Sequence, residues 1–320
     1  MTDRILVTGS RGLVGSALTP ALIDANFDVV EFDCCVEPGL PGHGDIRNVD
    51  ALRKAAAGCG GIVHLAAVSR VAWGEKDPEL CVQTNVAGTA NVLSVAEKSL
   101  NKPWVLFSSS REIYGEPERL PVLEDDCPSP VNVYGRSKAD AEKLVLNARR
   151  RGARIAIVRL ANVYGSCRDH ADRASPAFAR TALEGLPLHV YGRDNAFDFT
   201  HISDVVQGLM SVVDHLARGT VDLPTIHFAT GRSTTLGELA RLAIKCANSR
   251  SPVVEYTSHN YNVSRFVGNP HRALQLLGWR ATVEIENGMQ ALVDEFRSIG
   301  VGARGDVPLD VEKREADTID

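Results

Sequence analysis

The sequence has no apolar run approaching the ~20 residues that a membrane-spanning helix needs. It has no basic excess either: 35 Lys and Arg stand against 40 Asp and Glu, a formal net charge of −5. Without a basic stripe, neither nucleic acid nor an anionic membrane surface is an expected partner. The seven cysteines show no metal-ligand spacing, and Cys34-Cys35 is an adjacent pair rather than a CxxC. No metal site is expected on that basis. The odd cysteine count reads as reduced thiols. The chain enters the strand-like run Ile5-Leu6-Val7 almost at once, which leaves no room for a signal peptide, so a cytoplasmic location is expected. Internal repeats, low-complexity blocks and Gly/Pro/Ser-rich linkers are also lacking.

What is present is an ordinary globular balance, 44% hydrophobic and 23% charged, over 320 residues. That length suits a core domain plus a smaller lobe. Strand-like runs at Arg4–Thr8, Asp28–Phe32, Gly61–Leu65, Trp104–Ser108 and Arg154–Arg159 are dense in Val, Ile and Leu, as in strands buried on both faces. Helical stretches lie between them, near Val14–Ala25, Val49–Ala57, Pro78–Ser99 and Val133–Arg151. Such alternation implies right-handed crossovers and an α/β fold of Rossmann type, a doubly wound parallel sheet. Beyond residue 166 the pattern loosens, with helices near Ser175–Glu184, Ser203–Ala217, Thr235–Cys246 and Glu284–Ile299 and strands at Leu188–Tyr191 and Ile226–Ala229. The expected division is a core over 1–165, a smaller mixed α/β C-terminal lobe over 166–302 interleaved with it, and a polar, poorly ordered tail over 303–320.

The first strand runs into Thr8-Gly9-Ser10-Arg11-Gly12-Leu13-Val14-Gly15, a GxxGxxG loop opening a helix. A dinucleotide needs its pyrophosphate close to backbone N–H groups at a helix N-terminus, and a Cβ in the turn would block that approach. Gly9 and Gly12 serve the turn and Gly15 the packing of helix on strand, while Arg11, Leu13 and Val14 share the loop. The second strand leads to Asp33, 18 residues past Gly15. A carboxylate about 20 residues past the glycines accepts hydrogen bonds from ribose hydroxyls and repels a 2′-phosphate. NAD is therefore expected over NADP, a preference that Arg11 weakens slightly.

Tyr134 and Lys138 stand four apart at the start of a helical stretch, so both point to one face. A free tyrosine has a pKa of about 10, too high for a base at neutral pH. A neighbouring ammonium and a positive nicotinamide ring would lower it, and Tyr134 could then take a proton from a substrate hydroxyl. A lone YxxxK is usually a surface tyrosine and a solvated lysine. Here Ser108-Ser109-Ser110 closes the fourth strand, where α/β sheets place ligands, and that favours a catalytic Ser110 (or Ser109), Tyr134 and Lys138.

With TGSRGLVG at 8–15, GDI at 44–46, HLAA at 64–67, SSS at 108–110, IYG at 113–115, YGRSK at 134–138 and RLANVYG at 159–165, the chain from Arg4 to about Phe296 resembles the extended short-chain dehydrogenase/reductases, the NAD-dependent nucleotide-sugar epimerase/dehydratase family. The resemblance implies that Asp45 and Ile46 hold the adenine, that Leu65, Ala66 and Ala67 line the cofactor cleft, and that Asn162 contacts the sugar nucleotide. It implies a 4-keto sugar formed beside reduced NAD. It also implies a homodimer pairing the helices near Pro78–Ser99 and Val133–Arg151.

Departures from the family pattern bear on the reaction. Family dehydratases resemble Thr-Asp-Glu where this chain has Ser110-Arg111-Glu112. Glu112 matches their base, but a guanidinium with a pKa above about 12 is a poor acid. A pairing of Arg111 with Glu112 at the cleft edge is the alternative to catalysis by Glu112. Phe197 stands where the family usually has an arginine on the diphosphate, and His259-Asn260-Tyr261-Asn262 where many relatives have Arg-Pro-Gly-Asp. Arg265 is the best remaining candidate for that contact, since arginine forks suit a pyrophosphate. His64 and His201 read as structural. The leading expectation is a nucleotide-sugar epimerase. The alternatives are a dehydratase or decarboxylase using Glu112, a dehydrogenase of a free sugar or sugar acid, and a cofactor-binding module without catalysis.

Overall fold

The computed structural model describes residues 3–302; the tail at 303–320 lies outside the described residues. The chain begins with β1 (Arg4–Thr8), α1 (Leu13–Asp24), β2 (Asp28–Phe32), α2 (Val49–Ala55) and β3 (Gly61–His64). It continues through α3 (Val71–Lys76), α4 (Pro78–Val82), α5 (Thr89–Lys98), β4 (Trp104–Ser110), α6 (Val133–Arg150), β5 (Ile155–Leu160) and β6 (Asn162–Tyr164). Next come α7 (Ala174–Leu183), β7 (Leu188–Tyr191), β8 (Ala196–Phe197), β9 (Phe199–His201), α8 (Ile202–Ala217) and β10 (Ile226–Phe228). The last elements are β11 (Thr234–Thr235), α9 (Leu236–Ala247), β12 (Val253–Tyr256), β13 (Arg265–Phe266), α10 (His271–Leu277) and α11 (Ile285–Ser298).

The main sheet is six-stranded, in the order β10-β5-β4-β3-β1-β2, with every pair parallel. It is the Rossmann-type doubly wound sheet expected of the alternating runs. Residues 5–7, 62–63 and 105–107 of its central strands are essentially inaccessible, because helices cover both faces. One covering layer holds α1 and α8, the other α2, α5 and α6. The chain order reverses between β1 and β3, so the loops after these strands flank the crevice where such sheets bind ligands.

Two readings are corrected. The segment 78–99 is not one helix: a π-helical turn at Gln83–Gly88 separates α4 from α5. Its cause is Asn85, whose buried side chain bonds the Val68 backbone and Ser137, and Thr89, which bonds back to the Asn85 carbonyl. The strand at 226–228, read as part of the second lobe, is the edge strand of the main sheet against β5. The remaining strands pair as β11-β8-β13, β12-β7 and β6-β9, and α7, α9 and α11 pack over a core that includes Phe178, Leu188, Phe199, Leu239 and Met289.

Candidate active site

The glycine loop is built by close contacts that only glycine permits. Gly9 has φ +73° and donates its N–H to Phe32 O at 2.9 Å; a Cβ there would lie 2.6 Å from Ala66 N. A Cβ on Gly15 would lie 2.1 Å from Gly9 O, so α1 starts tight against the turn. Gly12 caps α1 in extended conformation, no side chain takes the cap bond, and Leu13 and Val14 form the first turn. The Ser10 hydroxyl is buried without a partner. A tight glycine turn at an uncapped helix N-terminus, with the unpartnered Ser10 hydroxyl beside it, fits a pyrophosphate.

Asp33 follows β2, and its carboxylate accepts from the backbone N–H of Arg11 and of Cys35, each at 2.8 Å. The Arg11 guanidinium turns to Glu31, 3.4 Å away. Asp45 is held by Arg47 through backbone and side chain. Ile46 is buried and packs closely on Gly88. Leu65 N donates to Thr8 O (3.1 Å) and Ala66 N to Thr8 Oγ1 (3.4 Å), which sets Leu65, Ala66 and Ala67 beside the loop.

β4 ends in three buried serines. Asn132 caps α6, accepting from Gly135 N at 2.7 Å, and so places Tyr134 and Lys138 in its first turns. Lys138 Nζ donates to Ser108 O at 2.8 Å and lies 5.1 Å from the Phe107 ring centre. Ser110 Oγ accepts from Glu112 N at 3.2 Å, and the Ser110 side chain is close enough to Tyr134 to favour its phenolate. The Ser109 hydroxyl is buried without a partner. The structure thus brings Ser110, Tyr134 and Lys138 to one place. The electrostatics depart from the simplest reading. Burial pushes Tyr134 up to about 12, against the opposing pull of Ser110 and Arg173. Burial brings Lys138 down to about 8. In the chain by itself, desolvation outweighs the pull of Ser110 and Arg173 on the phenolate.

Arg111 and Glu112 form a buried ion pair at 2.8 Å. The other Glu112 oxygen accepts from Asn132 Nδ2 at 2.8 Å, so both carboxylate oxygens are engaged. Arg111 Nε donates to Asn162 Oδ1 at 2.7 Å, and its guanidinium lies 4.5 Å over the Phe197 ring and 5.8 Å from the Phe266 ring centre. Arg265 is not brought into this cluster. It pairs with Glu116 at 3.7 Å and donates to Pro117 O, and strand alternation turns it away from its neighbour Phe266. His259 stacks between Tyr191 and Tyr261, and Tyr191 stacks in turn on Tyr256.

A family model described as "NAD dependent epimerase/dehydratase family" matches residues 5–223. The chain belongs to that family. It is 27% identical to a UDP-glucose 4-epimerase of Dictyostelium discoideum over 88% of this chain and 92% of that one. A UDP-glucose 4-epimerase of Thermotoga maritima, solved with UDP-glucose, superposes with a TM-score of 0.85 at 25% identity, over 92% of this chain and 99% of that chain. A dTDP-glucose 4,6-dehydratase of Streptomyces venezuelae, solved with NAD bound, gives 0.83 at 25%, over 92% and 97%.

In this member of the family, several residues of the site escaped the sequence reading. Asn132 is one, although an Asn just before a helical run is a cap signal and could have been noticed. Phe266 and Tyr261 are others; Tyr261 O accepts from Asn132 at 3.3 Å, a contact across 129 residues that no local pattern carries. His64 is held between Thr8 and Thr89, and burial brings it down to about 3. His201 caps α8 and packs on Gly165. Both have structural roles.

Proposed function

We propose that the protein is an NAD-dependent epimerase of a nucleotide sugar, acting through a transient 4-keto intermediate. The observation that carries this reading is the division of labour beside β4. Ser110, Tyr134 and Lys138 sit together at the end of β4, while both oxygens of Glu112 are committed to Arg111 and Asn132. Proton handling at one hydroxyl is thus built in, and a free carboxylate for elimination or decarboxylation is not. The UDP-glucose 4-epimerases among the relatives support this reading, and the NAD-bound dehydratase supports the cofactor.

In this reading the Gly9–Gly15 loop holds the pyrophosphate, Asp33 the adenosine ribose, and Asp45, Ile46 and Leu65–Ala67 the adenine side. NAD, when bound, takes and returns a hydride, and its positive ring favours the Tyr134 phenolate. Tyr134 removes the proton of the sugar 4-hydroxyl and later returns it. Ser110 hydrogen-bonds the same oxygen. Lys138, anchored on Ser108, bonds the nicotinamide ribose. The ketone turns over in the site before its reduction on the other face. Ser109, Arg111 and Asn162 face the sugar, and Arg265 remains the candidate for the phosphates. Residues 1–165 hold the cofactor and the catalytic Ser110, Tyr134 and Lys138, and 166–302, interleaved with that core, supply the rest of the substrate site.

The proposed assembly is a cytoplasmic homodimer. All seven cysteines are free, and no helix among the described residues is long and apolar enough to cross a membrane. Leu80 and Val82 are exposed on α4, which packs on α6. The function is tested by incubating the protein and NAD with UDP-, GDP- and dTDP-sugars and analysing the products by mass spectrometry and NMR. Unchanged mass with an inverted centre is the expected result. Loss of water or CO2, or net NADH release from a free sugar, would replace this reading by a lyase or a dehydrogenase.

A further inference from the structure

The turn after β2 gathers two cysteines, Cys34 and Cys35, that have no part in the reaction proposed above, beside Asp33, the proposed ribose acceptor. Asp33 N donates to Gly42 O at 2.8 Å and Gly44 N to Asp33 O at 3.0 Å, which closes the loop back on itself. The Asp33 carboxylate then accepts from Cys35 N and folds that residue toward it. Successive residues of a strand point to opposite faces; in this turn the ligand atoms of Asp33, Cys34 and Cys35 instead all lie within 4.8 Å of one another. Both thiols are exposed, whereas Cys59 and Cys81 are buried.

We propose that Cys34, Cys35 and Asp33 form a second ligand site, which takes a thiophilic divalent cation such as zinc, and that a cation there excludes the dinucleotide. The exclusion rests on the reading of Asp33 as the ribose acceptor. Two sulfurs are soft donors of the kind that select zinc or cadmium over magnesium or calcium. The carboxylate supplies a third donor, and water completes a tetrahedron. Each thiol releases its proton to solvent as its sulfur–metal bond forms, so no oxidant is involved. This is not the four-ligand spacing that the sequence lacks; it is a three-donor cluster that the turn creates. Asp33 already accepts two backbone N–H groups, one on each oxygen, so a cation on one of the two remaining lone pairs breaks the paired acceptance of both ribose hydroxyls. Cys34 is also within electrostatic reach of Asp45 and Arg47, the other residues at the adenosine end.

The test uses the reduced, metal-free full chain and cadmium ion alone, followed by the ultraviolet cadmium–thiolate absorption, with NAD affinity read by calorimetry. One cadmium per chain is expected. The band should vanish in Cys34→Ser/Cys35→Ser and persist in Cys127→Ser, which removes another exposed thiol. At ten times its dissociation constant, cadmium should weaken NAD binding by about tenfold in the wild type and leave it unchanged in the double variant. If the double variant misfolds, the two single variants serve. An undiminished band without Cys34 and Cys35 overturns the site. A band that depends on them, with NAD affinity indifferent to cadmium, overturns the exclusion. Failure of the metal-free wild type to bind NAD sinks the dinucleotide reading instead, and leaves the cadmium result to decide the site by itself.

Discussion

The guanidinium of Arg111 lies 4.5 Å over the ring of Phe197. Two of the positions at which the chain departs from the family pattern are thus in contact. A cation at 197 would have stood against the cation at 111; a phenyl ring instead offers the negative face of its quadrupole. The exchange keeps one positive group in this corner of the site, but carried on the β4 side and tied to Glu112 and Asn162. The loss of the expected arginine at 197 and the gain of one at 111 read as a single change of design.

Arg111→Met should be costly for this reason. Among the described residues it leaves the buried Glu112 carboxylate with Asn132 as its only side-chain hydrogen-bond partner. Removing one member of a buried pair typically costs about 3–5 kcal/mol. The double variant Arg111→Met/Glu112→Gln, which leaves no unpaired charge, should recover much of the loss, and urea unfolding of the four chains measures the coupling. Glu112→Gln by itself should leave 4-epimerisation within a few-fold of the wild type. Abolished turnover in that variant would return Glu112 to the reaction.

Tyr134→Phe removes one oxygen and keeps the ring that fills the site. Turnover should fall by roughly 10²–10⁴-fold, the usual worth of a positioned acid–base group, while NAD affinity stays near that of the wild type. Product NMR and calorimetry on the same preparation check both halves. A variant that still turns over at the wild-type rate removes Tyr134 from the mechanism.

How far the sequence could be read depends on the range of each interaction. The five long core strands were legible because burial on both faces writes an unbroken run of apolar residues. Gly9, Gly15 and Asp33 were legible because the loop and the strand it follows are contiguous. The π-turn at 83–88 was not, since its cause is a side-chain bond from Asn85 to Ser137, 52 residues away. Strands of two or three residues such as β8, β11 and β13 are too short for periodicity to register. The Arg111–Glu112 pair was foreseen as one alternative, but the Phe197 ring above it lies 86 residues on and has no local signal.

Asp33 and Arg11 set up a test of cofactor choice. The Arg11 side chain is turned to Glu31, and its backbone N–H holds Asp33. In the proposed binding mode the Asp33 carboxylate faces the 2′-position and Arg11 is paired with Glu31, so NADP should bind far more weakly than NAD. Asp33→Ser removes that carboxylate and the ribose acceptor with it. NAD affinity should fall by about tenfold, roughly 1.4 kcal/mol, and the ratio of NAD to NADP affinity should move toward one. Calorimetry with both dinucleotides reads the ratio. A preference for NAD undiminished in the variant would place the ribose elsewhere.

Lys138 gives a prediction with a definite sign. Burial brings it down from 10.5 to about 8. Below about pH 8 the lysine is charged in both the folded and unfolded chain, and the penalty for burying that charge is fully present. Between about pH 8 and 10.5 the folded chain gives up the proton while the unfolded chain keeps it, so this residue's contribution to stability rises with pH by at most roughly 3 kcal/mol. Lys138→Met keeps the apolar stem and has no charge to bury. It should be more stable than the wild type at pH 7, inactive in turnover, and should lose its stability advantage as pH approaches 10. Urea unfolding of both chains at several pH values, in a Cys81→Ala background because Cys81 feels the Lys138 charge and titrates in the same range, isolates the effect. A gap that stays constant from pH 7 to 10 would mean that the Lys138 ammonium is fully compensated by its contact with Ser108 O, and that its charge, not its neutral form, is what the fold is built to hold.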